Sequence, residues 1–267
     1  MNLSDARVVL TGASGGLGQE LARALAARGA HLLLVGRDAA RLQALAAELR
    51  QPGKQVEQVA ADLNQAEAVA RLAAAARTFN ANVLINNAGV LAFSLFEHQD
   101  WADAERVLDT NLRAPMRLTR ALLPGLLEQP EAAVLNVGST FGSLPFPGFA
   151  AYATAKAGLR AFSQALRREL ADRRVQVVYV APRAVDTPLN PPAVVALNQD
   201  LGSHSDPPGQ VARRIVAALA AGRAETHLGF PEGLFAWING ALPRLIDGAL
   251  ASKLARVRRH APGKEHP

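Results

Sequence analysis

Tyr152-Ala-Thr-Ala-Lys156, with Ser139 thirteen residues before its tyrosine, holds the side chains best suited to chemistry in this chain. A tyrosine and a lysine four residues apart share one face of a helix. A free tyrosine has a pKa near 10 and is a poor proton donor or acceptor at neutral pH. A lysine ammonium held beside it favours the phenolate and lowers that pKa. A serine that reaches the same point can hold a substrate oxygen in place. Together the three make a proton-transfer device for a carbonyl or an alcohol. Alone, Tyr-x-x-x-Lys is a weak signal, because many helices carry such pairs on solvated faces. The surrounding elements decide its meaning.

Short β-branched or leucine-rich runs alternate with longer alanine- and leucine-rich amphipathic stretches. Strands are predicted over 7–11, 31–35, 56–60, 82–86, 133–137 and 175–180, with a seventh over 226–229. Helices are predicted over 17–28, 39–49, 65–78, 101–111, 114–127, 152–172 and 209–221. Strands alternating with helices at this spacing argue for parallel βαβ units with right-handed crossovers. The fold class is α/β: a doubly wound, mainly parallel sheet of about seven strands with helices on both faces. One domain is expected over 1–267. Residues 186–208 are rich in Pro, Asn and Ser and read as an irregular lid over a binding site. Residues 231–260 read as a C-terminal helical extension.

The chain has 267 residues, 49% hydrophobic and 19% charged, a globular composition with room for a sizeable core. It has no cysteine, which excludes disulfides and thiolate metal sites; no metal site is expected. The first residues show no basic stretch followed by an apolar run, and no run of 18 apolar residues occurs, so the expected location is cytoplasmic. The net charge is +6. From Arg244 onward six Lys/Arg stand against two acids, so +4 of that charge sits in the tail and the body is nearly neutral. Nucleic-acid binding is not expected, since no recognition helix gathers the charge.

Gly12, Ser14, Gly15, Gly16, Leu17 and Gly18 lie between the first strand and the first helix. Glycines there let the backbone approach a pyrophosphate, and the helix N-terminus offers free N–H donors. The spacing Gly12-x-x-x-Gly16-x-Gly18 differs from the G-x-G-x-x-G pattern. At the end of the second strand, an acid suits a ribose 2′-hydroxyl and an arginine suits a 2′-phosphate. Here Val35-Gly36-Arg37-Asp38 offers both. Arg37 can pair bidentately with phosphate. Asp38 can cap the next helix or oppose the phosphate. NADP(H) is favoured over NAD(H).

These motifs, in this order, resemble the single-domain type of the short-chain dehydrogenase/reductase family. The resemblance spans Thr11 to Thr187 and includes Asp62-Leu63, Asn86-Asn87-Ala88-Gly89, Asn111, Ser139 and Tyr152-x-x-x-Lys156. It implies a Rossmann-type fold and an NAD(P)-dependent oxidoreductase acting on carbonyl or alcohol groups. It implies that Tyr152 is the general acid in reduction and the base in oxidation. By the same resemblance Lys156 would hold the nicotinamide ribose and lower the tyrosine pKa, and Ser139 would orient the carbonyl oxygen. Asn111 would hold a water linking Lys156 to solvent, although a buried amide bonded to backbone is the plainer reading. Asp62, with Leu63, would meet the adenine, Asn86 would line the adenosine side and brace the sheet, and Thr187 would reach the carboxamide. Dimers and tetramers are usual for the family, so a homo-oligomer is expected. A regulator or scaffold that binds NAD(P) with little turnover is the alternative; the presence of all four catalytic residues weighs against it.

One position departs from the family pattern: Arg183 stands where glycine is common. Its side chain is either solvated or aimed at an acidic or phosphate-bearing substrate. Phe93, Leu95, Phe96, Phe141, Leu144, Phe146 and Phe149, with Leu189, Val194, Val195, Leu197 and Leu201 of the lid, are expected around an apolar pocket for a small-molecule ketone, aldehyde or acyl-type carbonyl. In the tail, Leu245, Ile246, Ala249, Leu250, Leu254 and Val257 fall near one helical face, next to Trp237 and a basic end. Such a segment can cover its own core, pack on a partner subunit or lie on the inner face of a membrane.

Overall fold

The computed structural model describes residues 1–229 and 231–263. Seven parallel strands form one sheet in the order β3-β2-β1-β4-β5-β6-β7. They are β1 Arg7–Thr11, β2 His31–Gly36, β3 Val56–Ala60, β4 Val83–Asn86, β5 Ala132–Val137, β6 Val175–Pro182 and β7 Glu225–Leu228. Between them run α1 Gly16–Ala26, α2 Ala39–Glu48, α3 Ala66–Thr78, α4 Trp101–Leu108, α5 Ala114–Leu127, α6 Ala150–Glu169, α7 Pro192–Asp200 and α8 Pro208–Ala220. Three helices close the chain: α9 Glu232–Ala241, α10 Pro243–Ala251 and α11 Leu254–His260.

The central strands β4 and β5 are buried at every position, as expected where helices cover both faces of a parallel sheet. The pleat sorts alternate residues. Val8, Leu10, Leu32, Leu34 and Ile85 face one core with α1, α2 and α8. Val9, Leu33, Val35 and Leu84 face the other with α3, α5 and α6. A third apolar cluster (Phe93, Val107, Phe149, Tyr152, Val194, Leu197 and Val257) joins the body, the lid and the tail. The strand order reverses between β1 and β4, and the crevice at their carboxyl ends is the binding position of this topology.

Two expectations are corrected. The lid is not irregular throughout, since α7 occupies its middle, opened by Pro192 at the first helical turn. The helices 101–111 and 114–127 are not separate, because residues Asp109–Arg113 form a π-helical turn that joins α4 to α5. Such turns are often found at functional sites.

The lid is rooted at its two ends. Asp186 N donates to Asp206 O at 3.0 Å and Asp206 N to Ala184 O at 2.8 Å. Arg183 grips the Asp206 carboxylate bidentately, at 2.9 and 2.7 Å. The guanidinium holds the Asp206 pKa below the ordinary carboxylate value. Arg183 is therefore neither solvated nor available to a substrate acid, as the sequence alone had left open. At the other side of the lid, Asp200 takes Arg259 at 3.2 Å and His260 at 3.0 Å, which ties α11 to α7.

Asn86 and Asn136 are register partners on β4 and β5. Asn86 Nδ2 donates to Asn136 Oδ1 at 2.8 Å and to Thr119 Oγ1 at 3.2 Å. Asn136 Nδ2 donates to Ser163 Oγ at 2.8 Å, and Ser163 donates to Leu159 O at 2.7 Å. This polar chain ties the two central strands to α6, the helix that carries Tyr152 and Lys156. Asn86→Ala strands two buried acceptors and is expected to lower stability by about 1–3 kcal/mol in denaturant unfolding. Affinity for the NAD(P)H expected from the sequence, read by fluorescence titration, should stay unchanged; a matching loss of affinity would make Asn86 a cofactor contact instead of a brace.

Candidate active site

Gly12 begins the site. Its φ is +66°, and a Cβ there would stand 2.8 Å from Ala88 Cα, so only glycine fits. At Gly18 a Cβ would lie 1.9 Å from Gly12 O, which closes the turn against the helix it opens. The first α1 N–H to find an intrahelical partner is that of Gln19, which donates to Gly15 O at 2.9 Å. The N–H groups before it point out of the helix end, where an anion is favoured. No side chain caps that end: Gly15 stands at the cap. Thr187, at the root of the lid, leans on this turn, its Cγ2 3.0 Å from where a Gly16 Cβ would stand.

A cavity of about 650 Å³ runs from this turn along the carboxyl ends of the strands. Gly12, Ser14, Gly15, Gly16, Leu17 and Gly18 line it, as do Arg37, Asp62, Leu63, Asn111, Ser139, Tyr152, Lys156 and Thr187. Every expected site residue therefore borders the cavity except Asn86. Asn86 is 3% exposed and spends its amide inside the core. Its neighbour Asn87 lines the cavity instead and holds the glycine turn, donating from Nδ2 to Thr11 O at 3.0 Å. Successive residues at a strand end face opposite ways, and the sequence motif alone does not say which asparagine faces the cavity.

The end of β2 separates Arg37 from Asp38. Asp38 caps α2, accepting from Arg41 N at 3.0 Å, and pairs with the Arg41 guanidinium at 3.3 Å. Arg37 and Arg41 both line the cavity; Asp38 does not. Sequence reading missed Arg41, although its place one turn beyond Arg37 was a usable signal. Gly36 is required by Ser14, whose Oγ would lie 2.7 Å from a Cβ at that position. Asp62 Oδ1 accepts from Asn64 N at 3.0 Å, which fixes the turn after β3.

Tyr152 and Lys156 sit on the buried face of α6, 9% and 5% exposed. Lys156 Nζ lies 5.8 Å from the Tyr152 ring centroid and donates to Val137 O at 2.9 Å. Burial pushes the Lys156 pKa down to about 8. Burial also pushes the Tyr152 pKa above 10, against the smaller opposing pull of a hydrogen bond with Ser139. The leading influence on this tyrosine is thus desolvation, which raises its pKa where the sequence had suggested a lowering. Ser139 also fixes its own loop, its Oγ accepting from Phe141 N at 3.2 Å.

Asn111 lies in the π-helical turn, fully buried. Its Oδ1 accepts from Val90 N at 3.1 Å and its Nδ2 donates to Val90 O at 2.8 Å. The backbone reading of this amide holds, yet each end keeps one further hydrogen-bonding position. A Cβ on Gly89 would stand 2.8 Å from Asn111 Oδ1 and 3.9 Å from Lys156 Nζ, so glycine keeps this corner open.

Beyond Tyr152 the wall turns apolar. Phe141, Leu144, Phe146, Phe149, Val194, Leu197 and Leu201 line the cavity, as expected, joined by Phe235, Ile246 and Leu250 of the tail. Phe93, Leu95, Phe96 and Val195 stand outside it: Phe96 and Val195 are exposed, while Phe93 is buried in the third cluster with Leu95 packed against it. The tail covers its own body here, with Val257 of α11 wholly buried against the third cluster. Lys264 and Glu265, counted in the tail charge, lie outside the described residues. Among the described residues no helix is long and apolar enough to cross a membrane.

The short chain dehydrogenase family model matches residues 6–196. The chain is 33% identical to dehydrogenase/reductase SDR family member 7B of Bos taurus over 270 residues, covering 96% of this chain and 83% of that one. A short chain dehydrogenase from Burkholderia cenocepacia J2315, solved in complex with NADP, superposes with a TM-score of 0.80 at 26% identity, covering 94% of this chain and 99% of that one. A short chain dehydrogenase/reductase from Burkholderia phymatum, solved with NAD, gives 0.82 at 25% identity, covering 92% and 96%. The family-model match over most of the chain, the relatives and the shared seven-stranded parallel sheet place the protein: this chain belongs to the short-chain dehydrogenase/reductase family, the NAD(P)-dependent oxidoreductases.

Proposed function

We propose that this protein reduces an apolar ketone, aldehyde or acyl-type carbonyl with NADPH. One observation carries the reading: a single cavity joins two arginines, an uncapped helix end, a buried Ser-Tyr-Lys corner and an apolar chamber. A dinucleotide fits the residues of its first half. The glycine turn leaves no Cβ in the way and the α1 end presents N–H donors. Arg37 and Arg41 suit a 2′-phosphate, while Asp38 is occupied as a helix cap. When bound, the nicotinamide supplies the hydride for the carbonyl carbon.

The protein's own residues supply the rest. Ser139 donates a hydrogen bond to the carbonyl oxygen and orients it. Tyr152, kept protonated by burial, gives its proton to that oxygen as charge develops. Lys156, charged below its pKa of about 8, stabilises the phenolate left behind and lies on the route by which the proton is replaced. Asn111, with one free donor and one free acceptor position, suits the next step of that route. The apolar chamber excludes water from the reacting carbon.

A homo-oligomer follows the family habit. The outward face of the tail, with Trp237 at 70% and Leu245 at 64% exposure beside Arg244, also suits a partner copy or an anionic membrane surface.

Three outcomes test the proposal. Tyr152→Phe should cut turnover by about 10²–10⁴-fold while leaving NADPH titrations unchanged; near-normal turnover would end the mechanism. Arg37→Ala and Arg41→Ala should each weaken NADPH by about tenfold and leave NADH alone, a loss of about 1.4 kcal/mol. Equal effects on both nucleotides would remove the 2′-phosphate role. Third, the folded state holds Lys156 at a pKa of about 8 against 10.5 ordinarily, so the unfolded chain binds more protons between these values. Stability of the cofactor-free protein relative to Lys156→Met should therefore rise as pH passes upward through about 8, by an amount on the order of 1–3 kcal/mol. Denaturant unfolding from pH 7 to 9.5 reads it, and a flat difference would mean the ammonium is not desolvated.

A further inference from the structure

The apolar chamber ends on a charge. Lys253, between α10 and α11, lines the cavity and is half-buried. Its Nζ stands 6.0 Å from the Phe146 ring centroid. Phe146 stacks on Phe141 at 5.6 Å, and Phe141 meets Tyr152 edge-on at 6.4 Å. An aromatic wall thus leads from the proton donor to the ammonium in three steps. The other fixed charges of the cavity have occupations. Arg37, Arg41 and Asp62 stand at the ends of β2 and β3, Lys156 is bonded to Val137 O, and Arg183 holds Asp206. The acid of the adjoining lid helix, Asp200, is taken by Arg259 and His260. Among the described residues no acid pairs with Lys253.

We propose that Lys253 is an anion-recognition residue of the substrate chamber, and that the substrate is an apolar carbonyl compound bearing a carboxylate remote from its carbonyl. This deepens the reductase reading and rests on it. The body of the substrate lies along Phe141 and Phe146, its carbonyl at Tyr152 and its carboxylate at Lys253. A lysine partly withdrawn from water beside aromatic faces gains more from a carboxylate than a solvated one does. Arg183 cannot serve this end, because its fork is already filled by Asp206.

Calorimetric titration of the full chain, saturated with NADP⁺, with octanoate and with octanol tests this directly. Octanoate should bind the wild type about tenfold tighter than Lys253→Met, from a lost charge-assisted contact, while octanol binds both alike and Lys253→Arg stays within about twofold. Equal octanoate binding by wild type and Lys253→Met overturns the proposal, as does octanoate that fails to bind the wild type. Turnover separates this from the reading beneath it. With an ω-oxo fatty acid and its methyl ester, Lys253→Met should raise KM for the acid alone and spare kcat for both. If the wild type consumes NADPH with neither, the reductase reading falls, while the calorimetric comparison still decides the anion site.

Discussion

Among the described residues no carboxylate pairs with the lysine ammonium at the floor of the cavity, and much of the molecule is arranged around it. Lys156 has one protein acceptor among the described residues, the carbonyl of Val137 at the end of β5. Burying a cation with so little compensation is costly, and its pKa near 8 expresses that cost. A Cβ at Gly142 would stand 2.8 Å from the Lys156 backbone, and one at Gly138 would strike the Tyr179 ring at 2.2 Å. Backbone therefore passes close to α6 at Gly142 and to β6 at Gly138, where side chains would push it away. The ammonium and the tyrosine stay charged and neutral respectively at pH 7, which is the pairing a proton donor to a carbonyl needs.

That arrangement depends on the sheet. β5 delivers Val137 O and Ser139, α6 delivers Tyr152 and Lys156, and the Asn86–Asn136–Ser163 chain fixes β4, β5 and α6 to each other. Since these bonds are buried, any shift of α6 along the sheet leaves polar groups unsatisfied. The strand-order reversal beside β1 and β4 then places the glycine turn next to the same corner. Nucleotide site and proton donor share one cavity because one topological feature sets both.

Much of this was legible in the sequence, for identifiable reasons. Most strands are short buried runs bounded by glycine and polar turns, and the predicted limits lie within one or two residues of β1 to β6, the half-exposed edge strand β3 included. Tyr152, Lys156 and Ser139 were legible because helical spacing and chain order carry the information. What was hidden depends on contacts across the chain. Arg183 finds its acid 23 residues away, which no local pattern reveals. The choice between Asn86 and Asn87 rests on which side of β4 faces the cavity. The π-helical turn around Asn111 leaves the apolar periodicity of α4 and α5 nearly unchanged, so it has no sequence signal. The lid helix α7 had one, the Pro191-Pro192 pair at its start, and the polar composition of the segment masked it.

The division of labour along the chain follows from these placements. The family model ends at residue 196, and every group proposed above to handle the cofactor or the proton precedes that point. The chamber beyond Tyr152 is closed by what comes after: Leu197 and Leu201 from the lid, then Phe235, Ile246, Leu250 and Lys253 from the tail. Those tail helices are held by scattered contacts: Ala236 and Ile246 are buried, and Asn239 Nδ2 donates to Ser143 O at 3.0 Å. Val257 fills the third apolar cluster, and Asp200 ties α11 to α7 at an exposed ion pair worth little by itself. The proposed chemistry is thus built on the sheet and α6, whereas the far wall of the chamber comes from segments after residue 196. Substitutions in 197–263 can reshape the chamber without disturbing the Tyr152–Lys156 corner, because no hydrogen bond of that corner reaches a tail residue among those described. Substrate choice and catalytic power are separable in this chain for that structural reason.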